Sequence, residues 1–360
     1  MAQKRIRGGV WTIAWFTSLL AIGACQAVGS GVLPPRQPAR GPGGSDYAHE
    51  KVTIERQGSS LDEYWIFTPD DPRPLEAPFV VFLHGWGGMS PRHYGAWIEH
   101  IVRKGHIIVF PRYQTDLTTP VEEMVPAAAR AIHAAWDRLT SVGPVRPRSE
   151  RIAWVGHSLG AYIAANLSAA SVENGFAPPA ILMAVQPGSD RRMKLNSLDQ
   201  MPPDTLVLLV VGDEDNVVGA DGAESILGGL GHIPPQNIDF VTVQSDRRGS
   251  SPLVADHFSP LAVDADVSNR ITAIESPGAA SREGFFAQRW RQRSQQSSAE
   301  RYAPDALDYF GYWKLLDGLL DASFRGVNRS YALGDSDRQR FMGDFSDGVP
   351  VAPILVRPEP

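Results

Sequence analysis

At 360 residues, 43% of them hydrophobic and 21% charged, the chain has the make-up of a globular protein long enough for one large α/β domain or two ordinary ones. Thirty-four basic against forty acidic side chains give a net charge of −6, which argues against a nucleic-acid coat, because phosphate binding needs a concentrated basic face. The single cysteine excludes an internal disulfide, a cysteine-based zinc site and a thiol redox pair. Glycine (34) and proline (29) exceed average usage without reaching low complexity, so their excess is local.

Lys4, Arg5 and Arg7 precede an apolar stretch from Val10 to Ala24 that ends in small residues, the pattern of a secretory signal peptide. Ile22-Gly23-Ala24-Cys25 resembles the bacterial lipobox, in which the cysteine becomes the lipidated first residue of the mature protein. On that reading 1–24 is a signal peptide, and the protein is exported and held to the cell envelope by lipid on Cys25. An uncleaved anchor is the alternative, since Val10–Val28 is just long enough to span. Residues 25–46, with most of the Gly/Pro excess and no hydrophobic periodicity, read as a flexible tether. The folded body is then expected over 47–325.

Lys51–Gln57 and Asp62–Thr68 alternate polar and apolar around Gly58-Ser59-Ser60, which predicts a β-hairpin with one solvated face. Phe79–Leu83, Ile107–Phe110, Arg151–Val155, Ala180–Val185, Leu206–Val211 and Asp239–Gln244 read as further strands, several of them solid apolar runs buried on both faces. Between them, Tyr94–Lys104, residues 121–140, Leu159–Ala170 and Ala223–Leu230 read as helices. In 121–140, Val125, Ala129, Ile132, Trp136 and Leu139 recur at helical steps. Buried strands alternating with helices predict a mostly parallel sheet covered on both faces. Residues 259–303 break the rhythm with Arg282, Arg289, Arg291, Arg293 and Arg301 among Phe285, Phe286 and Trp290, and are expected to form an inserted surface segment or a flap. Asp305–Phe324 reads as a long helix packed on the sheet, and 326–360 as a polar tail.

Ser158 sits in Gly156-His157-Ser158-Leu159-Gly160, between the strand RIAWV and the helix that follows. The pentapeptide alone is common, but at a strand-to-helix turn small neighbours allow a strained backbone and lift the hydroxyl above the sheet. The helix N-terminus then points at developing negative charge. In this context the chain, over roughly 51–325, resembles the α/β-hydrolase superfamily, of the esterase/lipase, dienelactone-hydrolase-like or cutinase-like kind. The short connection between Val185 and Leu206 leaves no room for the lid domain often inserted there. The resemblance implies an oxyanion hole from the backbone amides of Leu159 and of Trp86, within His84-Gly85-Trp86-Gly87-Gly88, with His84 structural. It also implies a nucleophile–acid–base order along the chain. The acid then matches Asp215 in the segment Gly212–Val218, with Asp213 in reserve and Glu214 facing solvent. Of nine histidines only His232 and His257 follow Asp215. His257 follows a strand and emerges at the edge of the sheet that carries Ser158; His232 precedes one and lies at the other edge. His157 is expected to support the turn.

The implied activity is hydrolysis of a small-molecule carboxylic ester through a Ser158–His257–Asp215 triad and an acyl-enzyme, with no metal or organic cofactor and no nucleic-acid partner. A peptidase or acyltransferase using the same triad, and a catalytically silent envelope lipoprotein, are the competing readings.

Overall fold

The computed structural model describes residues 31–188, 193–275 and 302–357. The chain divides between Gly31 and Val32, and the described residues beyond that point belong to one body. The expected leader and Cys25 lie outside the described residues, as do Arg282–Arg301 with Phe285, Phe286 and Trp290. Among the described residues no helix is long and apolar enough to cross a membrane.

Among the described residues nine strands form one sheet: β1 (Lys51–Gln57), β2 (Glu63–Asp70), β3 (Glu76–Leu83), β4 (Ile107–Arg112), β5 (Arg146–His157), β6 (Pro179–Val185), β7 (Leu206–Gly212), β8 (Ile238–Val243) and β9 (Leu355–Val356). Their order is β1-β2-β4-β3-β5-β6-β7-β8-β9. The pairs β1–β2, β2–β4 and β8–β9 are antiparallel and the others parallel. This is the mostly parallel sheet expected from the alternation of strands and helices, and the α/β-hydrolase fold that the resemblance implied. The helices are α1 (Gly95–Arg103), α2 (Val121–Val142), α3 (Leu159–Ala169), α4 (Asp221–Gly228), α5 (Ala265–Ile274), α6 (Lys314–Arg325) and the single turn α7 (Asp337–Arg340).

The period of two along each strand splits the core into two layers. Val80, Phe82, Ala153, Val155, Leu208 and Val210 face α1, α5 and α6. Phe79, Val81, Leu83, Trp154, Val207, Leu209 and Val211 face α2, α3 and α4. From β3 the chain crosses to β4 on one side, then returns past β3 to β5 on the other. The loops leaving β3 and β5 therefore splay apart at a topological switch point, where an open parallel sheet places its ligand site.

Several expectations need correction. β2 has no solvated face: Tyr64 and Ile66 sit in one layer, Trp65 and Phe67 in the other. Residues 32–46, expected within the tether, are folded onto the body. The Gly43 amide donates to the buried Asp317 carboxylate (2.8 Å), Gln37 Nε2 donates to the Gly43 carbonyl (3.1 Å), and Lys104 Nζ donates to the Gly41 carbonyl (3.1 Å). The C-terminal segment is no tail either. Leu333, Met342, Phe345, Val351 and Ile354 are buried, and Val356 pairs with Val241 through β9. The long helix expected over 305–324 begins as a π-helix, Leu307–Trp313, before α6. Such wide turns rotate side chains relative to an α-helix and recur at functional positions.

Candidate active site

β5 ends at His157, α3 begins at Leu159, and Ser158 between them has φ 55° and ψ −122°. A non-glycine residue rarely adopts this conformation, and it persists only where the surroundings dictate it. The glycines on either side make the turn possible. A Cβ on Gly156 would lie 2.3 Å from the Gly160 carbonyl oxygen, and one on Gly160 would lie 2.3 Å from that of Leu83. The Ser158 amide donates to the Val185 carbonyl at 2.9 Å, which fixes the turn to β6.

The loop after β3 lies directly against this turn: a Cβ on Gly85 would sit 3.2 Å from that of Ser158. The Gly88 amide donates to the Gly85 carbonyl (2.9 Å), closing a turn around Trp86. The Gly87 amide donates to Oε1 of the fully buried Gln114 (2.7 Å). Trp86 and Leu159 thus fall on the two segments that flank Ser158. His84 is enclosed, stacked on Tyr113 with ring centroids 4.1 Å apart, and burial pushes its imidazole down to about 3. It lies within the packing of the loop.

After β7 the chain makes a tight turn in which the Asp215 amide donates to the Gly212 carbonyl (3.3 Å). Asp215 Oδ1 accepts from the amides of Val217 (2.9 Å) and Val218 (3.1 Å), leaving Oδ2 to face His257 Nδ1 at 2.8 Å. Burial alone would raise this carboxyl. The His257 hydrogen bond and charge, with the two amides, outweigh burial and hold it below its ordinary value. Asp213 is exposed and occupied elsewhere, accepting from the Ser245 amide (2.9 Å) and hydroxyl (2.6 Å). Glu214, expected in solvent, is half-buried and paired with Arg247.

His257 follows β8 and reaches Ser158 Oγ through Nε2 at 2.9 Å. Because the ionised carboxylate can only accept, Nδ1 carries the proton, and Nε2 presents its lone pair to the hydroxyl. His232 lies elsewhere, its Nε2 against the Met201 carbonyl (2.9 Å) on the return to β8. The structure therefore brings Ser158, His257 and Asp215 together and leaves Asp213 and His232 apart.

Four further residues shape the site. Gln186 (φ 45°), at the end of β6, donates from Nε2 to the Asp256 carbonyl (2.8 Å). Tyr312, on the π-helix, shares a hydrogen bond with Ser259 Oγ (2.6 Å). Between them they pin the loop that carries His257. Gln114 secures the Gly87 amide, and Tyr94 meets the amide of Gly85 (3.0 Å). A polar residue at the end of a buried strand, as Gln186 is, was the only cue available.

Residues 44–208 match the family model described as Chlorophyllase, and the chain is similar to that family over this range. The match takes in the loop after β3 and the Ser158 turn, and stops within β7, before Asp215 and His257. No curated protein matches. At the level of reaction class, the match and the fold mark the chain as an α/β-hydrolase-type hydrolase.

Proposed function

We propose that the protein is a carboxylic-ester hydrolase working through an acyl-enzyme on Ser158. The observation that carries this reading is the continuous hydrogen-bonded line Ser158–His257–Asp215, set against the loop after β3. The neutral His257 imidazole takes the Ser158 proton at Nε2 as Oγ attacks the ester carbonyl carbon. The tetrahedral oxyanion is held by the amides of Leu159 and Trp86, each such donor worth about 3–4 kcal/mol in the transition state. The C–O bond then breaks, with the Nε2 proton going to the leaving alcohol. Water enters next and gives its proton to His257. Its oxygen attacks the acyl carbon, and the acid leaves as Ser158 regains its proton. Asp215 holds the ring in the tautomer this requires and offsets the imidazolium charge.

Similarity to the Chlorophyllase family supports an ester rather than a peptide as substrate. A fluorophosphonate probe tests the reading directly. It should label Ser158 in the wild type and not in Ser158→Ala, and p-nitrophenyl esters should turn over with the same dependence. An unlabelled wild type that hydrolyses no ester would overturn it, and turnover of peptides alone would move the protein to the peptidases.

Export and lipidation at Cys25 belong to the same proposal and rest on the N-terminal sequence pattern alone. Mass spectrometry of the mature N-terminus decides it. An acylated Cys25 is expected, and an unmodified start beyond residue 25 would refute it.

A further inference from the structure

His157 is buried, and its two ring nitrogens meet polar partners on opposite sides, with the Gln186 side chain also against the ring. Burial drives the imidazole down to about 3, so it is neutral and carries one ring proton. That proton can be placed. Nε2 lies 2.9 Å from the His257 backbone carbonyl, which can only accept, so Nε2 is the donor. Nδ1 then offers a lone pair to the Tyr94 hydroxyl at 2.9 Å, and Tyr94 must donate to it. With its only proton committed, the Tyr94 oxygen accepts from the Gly85 amide at 3.0 Å. One directed chain results: Gly85 N–H to Tyr94, Tyr94 O–H to His157, His157 N–H to the His257 carbonyl.

Its two ends are informative. Gly85 immediately precedes Trp86 in the loop assigned to the oxyanion, and His257 is the base itself. His157 immediately precedes Ser158. No other tautomer satisfies all three contacts.

We propose that Tyr94 is a positioning residue: through His157 its hydroxyl sets the oxyanion loop and the base loop at one fixed separation around Ser158. This rests on the ester-hydrolase reading and adds to it a device absent from the triad. Tyr94 touches neither substrate nor Ser158 Oγ in this scheme. It sits at the foot of α1, held by Phe82 (ring centroids 5.0 Å) and enclosed in the core, so its own position is rigid.

The test is a double-mutant cycle with Tyr94→Phe, which removes one oxygen and keeps the ring, and His157→Gln, which keeps a donor for the His257 carbonyl. On a p-nitrophenyl ester, Tyr94→Phe should lower kcat about 10- to 100-fold, the scale of a sub-ångström to 1 Å misplacement, with KM nearly unchanged. A trifluoromethyl ketone that mimics the tetrahedral adduct should bind weaker by a similar factor. The double variant should lose no more than the worse single one, because both break the same line. Losses that multiply, or a Tyr94→Phe enzyme with a lowered melting temperature and an unchanged kcat, would refute the coupling and leave Tyr94 a packing residue. The ester-hydrolase reading fails separately, through a wild type that neither turns over ester nor takes the fluorophosphonate, and the positioning role falls with it.

Discussion

The backbone at Ser158 makes a signed prediction that does not depend on catalysis. Ser158→Ala and Ser158→Gly both lose the Oγ contact to His257, about 1 kcal/mol, and both are inactive. Their difference in stability therefore isolates the backbone. At an ordinary position glycine is less stable than alanine by about 0.5–1 kcal/mol, because the unfolded chain has more freedom to lose. At φ 55° and ψ −122° a side chain costs on the order of 1–3 kcal/mol, which glycine does not incur. The second effect is the larger, so Ser158→Gly should be the more stable variant by about 1 kcal/mol, or about 2 °C in Tm for a body of this size. Urea denaturation and calorimetry on the two purified variants measure it. An alanine variant as stable as the glycine variant, or more so, would show that the turn is unstrained and that the reasoning from its dihedral angles is wrong.

Asp215→Asn should lower kcat about 10⁴-fold by allowing the wrong tautomer of His257, whereas Asp213→Asn, which only weakens the bond to Ser245, should lose far less; p-nitrophenyl butyrate turnover compares them. His257→Ala should fall by about 10⁶, like other triad knock-outs, and His232→Ala should keep wild-type turnover. Burial, then the neighbouring Asp305 charge, drives the Asp308 carboxyl well above its ordinary 3.8, while the Asp305 amide only partly opposes them. The folded state thus holds a proton that the unfolded chain releases, and this contribution is complete below 3.8 and lost as pH rises through the folded value. Asp308→Asn should raise the denaturation midpoint more at pH 8 than at pH 4, and an equal shift at both would refute the assignment.

The strands and the Ser158 turn were legible because each is a local pattern. Phe79–Leu83 has no polar face to offer water, and Gly156 and Gly160 stand where any Cβ would strike backbone. Asp215 and His257 were readable through chain order and the direction in which each strand runs. The segments 32–46 and 326–357 were not, since Gly- and Pro-rich chain without periodicity looks the same whether it is free or packed. What packs the first is a buried carboxylate, Asp317, far along the chain and reached by the Gly43 amide. β2 misled for a related reason. Tyr64-Trp65-Ile66-Phe67 has apolar residues on both faces, and only knowledge of the helices on either side decides between solvent and core. Tyr94, Gln186 and Tyr312 matter through hydrogen bonds to loops distant in sequence, which no spacing encodes.

The path of residues 32–50 has a mechanical consequence. Val32 and Leu33 are bonded to Ser250 and Ser346, near the β9 edge of the sheet. From there the segment runs past Asp317 of α6 and the Arg103 carbonyl of α1, then enters β1 at the opposite edge. It is a strap laid over one layer of helices. Traction applied upstream of Val32 would first load the few bonds to Ser250 and Ser346, peeling the strap one contact at a time. β5, which carries Ser158, is the fifth of the nine strands, with four strands between it and either edge to absorb such a load. The Ser158 turn is therefore mounted at the centre of the sheet, whereas His257 shares its connection after β8 with Ser250, the strap's own anchor.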